Sequence, residues 1–261
     1  MRTRSPVAQL PGAVAGVLGG ALVGAMDFLL PPACASCGEA ADGEVRAGEG
    51  PVCRGCRLRL PPVPLPICDR CGAPMGSGRA TTCLECQEWP ELLRSARAAH
   101  LLESPARELV HALKYHGWRD VGMFMGREMA RAAPRTITDA ECIVPIPTSP
   151  ANVRRRGYNQ AEVIARSLSE ALGAELLPCL ERHGQRGTQT TLNPQERSAN
   201  VSGAFALVGA VAGRIAGRRV LLVDDVITTG ATILAAVEAL RAADPRTVCA
   251  FAFARTVPLV I

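Results

Sequence analysis

The sequence predicts an α/β protein in which a parallel sheet flanked by helices follows a small, metal-stapled N-terminal module. Three observations predict it. From about Leu92 onward, strand-like runs alternate with amphipathic helices, the βα rhythm of a parallel sheet covered by helices. A run of β-branched residues and leucine, Val220 to Val223, leads through an acidic, hydroxyl-rich turn into a strong helix. Residues 31–90, in contrast, are rich in Pro, Gly and Cys and have too few apolar runs for a core of their own.

A length of 261 residues suits one good core plus a smaller module. We therefore expect an N-terminal segment 1–30, a metal module 31–90 and an α/β domain 91–261. At 48% hydrophobic and 20% charged, the composition excludes a multi-span membrane protein and does not suggest disorder. The net charge of +5 rests on arginine, because Lys114 is the sole lysine. A surplus of that size suits phosphate-rich ligands or nucleic acid without choosing between them. A homodimer is a candidate assembly.

Val7 to Met26, after Arg2 and Arg4, has the charge and apolar order of a signal peptide, but Pro11 and glycines interrupt it and Asp27 ends it. The competing expectation is a disordered start followed by a short helix up to Leu30. Thiol metal ligands follow directly, which an oxidising compartment would threaten, so a cytoplasmic location without a membrane span is expected.

Of 11 cysteines, all but Cys142, Cys179 and Cys249 fall in Cys-x-x-Cys pairs: Cys34/Cys37, Cys53/Cys56, Cys68/Cys71 and Cys83/Cys86. Such pairs are poor disulfide partners and good metal clips. Tetrahedral zinc takes four thiolates, so these cysteines imply a double zinc ribbon holding two Zn²⁺ ions. Glycine follows Cys37 and Cys71, as after a first knuckle, whereas Arg57 and Gln87 follow Cys56 and Cys86. That favours the sequential sets Cys34/37/53/56 and Cys68/71/83/86 over interleaving. Disulfides, free thiols and a rubredoxin-like iron site are the alternatives. Four thiolates leave no open position for water, so the metal is structural. The three remaining cysteines lie in apolar contexts and read as core.

In the α/β part, Ser104-Pro105 offers a cap and a first-turn proline to a helix with Leu109, Val110 and Leu113 on one face and Gly117 as its stop. A second helix is expected over Val121 to Ala133, a strand over Cys142 to Ile146 stopped by Pro147, and a helix over Asn159 to Leu172. Glu181 to Ala204 is polar, aperiodic and long for a connection, as functional or disordered loops are. Gly230 to Ala243 reads as a helix and Thr247 to Ala254 as a buried strand.

The sharpest signal runs from Val220 to Thr232: a buried strand delivers Asp224 and Asp225, and Thr228-Thr229-Gly230-Ala231-Thr232 opens a helix. Backbone N–H groups at a helix start attract anions, Gly230 permits close approach, and the threonines add hydroxyl donors. Two carboxylates at the strand's carboxyl end can accept hydrogen bonds from vicinal sugar hydroxyls. A solvated acidic turn is the plainer alternative, and it leaves the Thr and Gly choices unexplained. A Walker-type loop is excluded, since it needs Gly-Lys-Ser/Thr and Lys114 follows Leu113.

This stretch closely resembles the signature of type I phosphoribosyltransferases. Ile143-Val-Pro145-Ile-Pro147, the basic stretch Arg154 to Arg156, and Gly157-Tyr158-Asn159-Gln160 resemble the ComF family pattern, as do Leu113-Lys114-Tyr115, Gln189-x-x-Leu192, Arg197, Asn200 and the cysteine pairs. The resemblance covers residues 31–254. It implies that 5-phosphoribosyl-1-pyrophosphate binds with Mg²⁺, with Asp224 and Asp225 at the ribose and Thr228 to Thr232 at its phosphate. Pro147, Thr148 and Ser149 would form the pyrophosphate loop, and Glu181 to Ala204 would close over the ligand. It also raises Lys114, Arg156 and Arg197 as ligand contacts, although surface charge and nucleic-acid contact are competing readings for Arg154 to Arg156.

Catalysis of this kind works by positioning and charge neutralisation, so His100, His111, His116 and His183 are not needed. No base-binding hood is evident after Ala254. The family resemblance implies three functions: phosphoribose transfer to an acceptor, a single-stranded DNA accessory role beside a DNA-uptake helicase, or non-catalytic sensing of the ligand. Few aromatics are available for base stacking in the DNA reading.

Overall fold

The computed structural model describes residues 33–39, 50–75, 83, 86–183 and 203–257. Segment 1–30, most of the polar loop and Arg197 lie outside the described residues, as do Gln189, Leu192 and Asn200.

A five-stranded parallel sheet has the order β1-β7-β6-β2-β3. Its strands are β1 (Leu93–Leu101), β2 (Cys142–Pro145), β3 (Glu175–Leu176), β6 (Arg219–Ile227) and β7 (Thr247–Arg255). The central pair, β6 and β7, is apolar through its middle, Val220 to Val223 and Val248 to Ala254, because helices cover both of its faces, and its polar residues fall towards the strand ends. Leu221 and Val223 point to one side and Val220 and Leu222 to the other, and the two sets belong to separate buried clusters.

Helices α2 (Ala106–Tyr115), α3 (Arg119–Ala132) and α6 (Gln160–Leu172) pack on the first face through Leu109, Leu113, Phe124, Met125, Ile164 and Leu168. Gly126 makes the α3–α6 contact close, since a Cβ there would meet the Ile164 carbonyl oxygen at 2.5 Å. The second face takes α7 (Ala231–Arg241) through Ile233, Ala236, Val237 and Leu240. The short helices α1 (Arg54–Leu58), α4 (Arg135–Thr138) and α5 (Pro150–Arg156) complete the α-helices of the described residues, and a 3-10 helix spans Gly209–Arg214.

Several expectations shift. Ser104 does not cap α2: Pro105 occupies the cap position with no side-chain bond, so packing of the apolar face sets that helix start. The strand expected over Val220 to Val223 extends to Ile227, because β7 pairs with it as far as Ile227↔Arg255. The basic stretch after Ser149 is helical, with Ser149 Oγ accepting from Asn152 N and Gly157 closing the helix at φ +80°. The ends of the polar loop pair as antiparallel strands, β4 (Leu180–Arg182) and β5 (Phe205–Leu207).

The cysteine-rich region does not stand apart from the sheet. Cys34, Val52, Cys56 and Leu60 join the buried cluster on the α2/α3/α6 face, whereas Cys68, Cys71, Cys86 and Trp89 join the one on the α7 face. Between the two sets the chain passes the free edge of β1, where Leu101 N donates to the Pro61 carbonyl at 2.9 Å and Ala96 N to the Arg70 carbonyl at 2.8 Å. An otherwise open sheet edge is thereby covered. Gly72 is required there: its φ is +68° and a Cβ would meet the Ala96 carbonyl oxygen at 2.6 Å.

Candidate functional site

The thiols fall into two sets, Cys34/Cys37/Cys53/Cys56 and Cys68/Cys71/Cys83/Cys86, each with its sulfurs within 4.8 Å of one another. The separations Cys37–Cys53 at 3.9 Å, Cys68–Cys86 at 3.5 Å, Cys71–Cys83 at 3.3 Å and Cys83–Cys86 at 3.7 Å are near the ~3.8 Å edge of a tetrahedron with zinc–sulfur bonds of about 2.3 Å. Burial pushes the Cys68 thiol up, but the backbone N–H groups of Cys71, Arg70 and Cys83 outweigh it and bring it down to about 6. Cys34 falls to about 7 by the same balance, with the N–H groups of Cys37, Cys53 and Ser36 opposing burial. One thiol in each set is thereby favoured as a thiolate, while burial and neighbouring sulfurs push Cys53, Cys71 and Cys86 up and the neighbouring sulfurs raise Cys37. It is the tetrahedral clustering of four sulfurs that fits structural Zn²⁺ in both sets.

At the carboxyl end of the sheet lies a cleft of about 400 Å³. β6 brings Asp224 and Asp225 into it, the turn at its end adds Thr228, the first turn of α7 adds Thr232, and the turn after β2 adds Pro147 and Thr148. α2 supplies Lys114, whose Nζ lies 2.9 Å from Asp225 Oδ1. Asp225 N donates to Asp224 Oδ1 at 2.8 Å. Burial, and then the neighbouring Asp225 carboxylate, push the Asp224 carboxyl up to about 8.

Other residues in the cleft were not foreseen as contacts. Asn159 fixes the β2 turn, donating to the Ile146 carbonyl at 3.1 Å and accepting from Thr148 N at 3.3 Å. Asn152 donates to Thr148 Oγ1 at 3.1 Å. Arg182 enters from β4 and Gln160 from the first turn of α6. Among the described residues, Gln160 Nε2 and Arg156 Nε are buried donors with no hydrogen-bond partner, and both residues line the cleft. Buried donors without acceptors at a concave, basic site suit an anionic ligand. Asn159 and Gln160 could be seen in the motif, but no sequence signal marks Asn152 or Arg182.

Four foreseen residues lie beside the cleft without lining it. Ser149 caps α5, and Thr229 Oγ1 accepts from Ala231 N at 3.4 Å. Gly230 has φ +81°, and a Cβ on it would meet Trp89 Cζ2 at 2.9 Å, so the residue after the second cysteine set rests on the turn itself. Ala231 opens α7.

Domain models agree with this division of labour: that for a double zinc ribbon domain matches residues 25–87 and that for a phosphoribosyl transferase domain matches residues 152–256. Fold and site together define a phosphoribosyltransferase-like protein joined to a double zinc ribbon. Competence protein F of Haemophilus influenzae is 30% identical over 204 residues, 73% of this chain and 84% of that protein. Competence protein ComFC of Bacillus subtilis is 25% identical, with 70% of this chain and 74% of that protein covered. DNA utilization protein YhgH of Escherichia coli is 28% identical, with 64% and 74% covered. The chain belongs to the ComF family. Among the described residues, no helix is long and apolar enough to cross a membrane.

Proposed function

We propose that the cleft binds 5-phosphoribosyl-1-pyrophosphate with Mg²⁺. The observation that carries this reading is the Lys114–Asp225–Asp224 arrangement beside a hydroxyl-rich helix start, in a cleft that also holds the orphaned donors Arg156 Nε and Gln160 Nε2. Asp224 and Asp225 would accept from the ribose hydroxyls, and the turn from Thr228 to Thr232 would take the 5-phosphate. Pro147 to Ser149 with Arg156 would face the pyrophosphate, and Arg197, outside the described residues, is a further candidate contact. Mg²⁺ would neutralise charge between ribose and pyrophosphate oxygens, a task for hard oxygen ligands.

Titration of the ligand with Mg²⁺ into zinc-replete protein tests binding. Pyrophosphate release in an acceptor screen then separates the readings: release marks a phosphoribosyltransferase, and tight binding without release marks a sensor. The thiolate clusters support placing the protein in the cytoplasm.

A second reading, single-stranded DNA binding in DNA uptake, rests on the cleft rim. Tyr115 is exposed there, with the Arg155 and Arg156 guanidiniums 5.6 and 5.4 Å from its ring and His111 at 4.7 Å. Aromatic faces interleaved with arginine suit stacked bases and phosphates, and the relatives' names concern competence and DNA utilization. Loss of oligonucleotide binding in Tyr115→Ala, with the sugar-phosphate site intact, supports it; unchanged oligonucleotide binding removes it.

A further inference from the structure

The opposite end of the sheet carries a second basic cavity. Where β1, β6 and β7 begin, a hollow of about 320 Å³ is lined by Arg94, Arg219, Arg246, Thr136, Thr247 and Asp139. The register explains the gathering. Arg219 pairs with Thr247, and Leu93, next to Arg94, pairs with Val248, so three strand starts reach one level.

The three arginines are not equivalent. Arg219 is engaged, with Nε donating to the Asp139 carbonyl at 2.7 Å and Nη1 3.6 Å from Glu141 Oε2. Arg94 and Arg246 make no side-chain hydrogen bond or ion pair among the described residues. Arg246 acts on Glu141 through its field alone. Two guanidinium forks without a hydrogen bond face a concavity with threonine hydroxyls beside them; Asp139 is its one lining carboxylate, and Glu141, which does not line it, is paired with Arg219. Such forks match phosphoryl oxygens in shape and charge, where a lysine would offer only a point charge.

We propose that this cavity is a second anion site that takes a phosphoryl group, separate from the cleft at the carboxyl end of the sheet. A small free phosphate ester and a phosphate of a nucleic-acid strand present the same chemistry, and the test distinguishes them. Zinc-replete full-length protein is titrated with inorganic pyrophosphate and, separately, with a single-stranded oligonucleotide, comparing wild type with Arg94→Gln/Arg246→Gln.

Each charge-assisted contact contributes about tenfold in affinity. The double variant is therefore expected to bind one pyrophosphate fewer per chain, whether or not the cleft binds pyrophosphate as well. Arg246→Lys, which keeps the charge, should retain most of the binding. A loss confined to pyrophosphate identifies a small phosphate ester as the occupant, and a loss of oligonucleotide affinity identifies a strand. Both arginines are exposed, so zinc content and melting temperature should match wild type. Unchanged stoichiometry and affinity for both probes would overturn the proposal.

Discussion

The two cysteine sets have the same ligand chemistry and opposite relations to the cleft. The Cys34 set joins the buried cluster of α2, α3 and α6 on one face of the sheet, and its Cys37 is exposed. The Cys68 set is deeper and is wired to the other face. Arg70 donates to the carbonyls of Cys86 at 3.1 Å and Pro90 at 3.0 Å, buried Arg255 donates to that of Cys71 at 2.8 Å, and Trp89 packs against the Gly230 turn. Equal metal sites can therefore differ in what they support: the first holds an edge of the fold, and the second also holds the wall of the ligand site.

The sharpest way to break this comparison is to remove one set at a time. Cys68→Ser/Cys71→Ser should lose one zinc per chain and abolish ligand binding in the cleft, as metal analysis and calorimetry would read. Cys34→Ser/Cys53→Ser should lose one zinc and lower the melting temperature but leave cleft affinity within about threefold, under half of the ~1.4 kcal/mol that makes a tenfold change. Equal losses of affinity in both variants would erase the distinction.

A smaller effect is expected from Trp89→Ala. Truncating a buried aromatic should cost about 3 kcal/mol in denaturant unfolding, while both zincs stay bound. The Gly230 turn loses its backing, so cleft affinity should fall as well. Stability that falls while affinity holds would confine Trp89 to packing.

How far each part could be read from the sequence follows from where its contacts lie along the chain. Asp224 to Thr232 is one contiguous strand, turn and helix start, so its chemistry was legible. The sequential cysteine sets were legible from their knuckle glycines. Lys114 was accessible only through family resemblance, because its partner Asp225 lies on another element and no local pattern joins them. Arg182, Asn152 and the orphaned donor of Gln160 converge from β4, α5 and α6, which only the folded sheet brings together. The contact between Trp89 and Gly230 was unreadable for the same reason. Ser104 misled because a good cap sequence was overridden by packing.

The smallest effect concerns pH. His100 lies under the chain that joins the two sets, packed edge-on to Phe253 at 5.1 Å, and among the described residues its ring nitrogens make no hydrogen bond that meets normal geometry. Burial drives it from 6.5 to about 4, and the Pro61 backbone, near the ring without completing a hydrogen bond, opposes the shift. The unfolded chain takes a proton that the folded chain refuses, so stability is complete above about 6.5 and is lost as pH falls towards 4. Unfolding of His100→Phe should lack this slope, and an unchanged slope would place its origin elsewhere.

The most direct test of the central claim is calorimetric titration of 5-phosphoribosyl-1-pyrophosphate with Mg²⁺ into zinc-replete wild type and Asp224→Ala/Asp225→Ala. The account predicts binding by wild type and none by a double variant that still carries two zincs. Wild type that fails to bind, or a variant that binds as well, would contradict it.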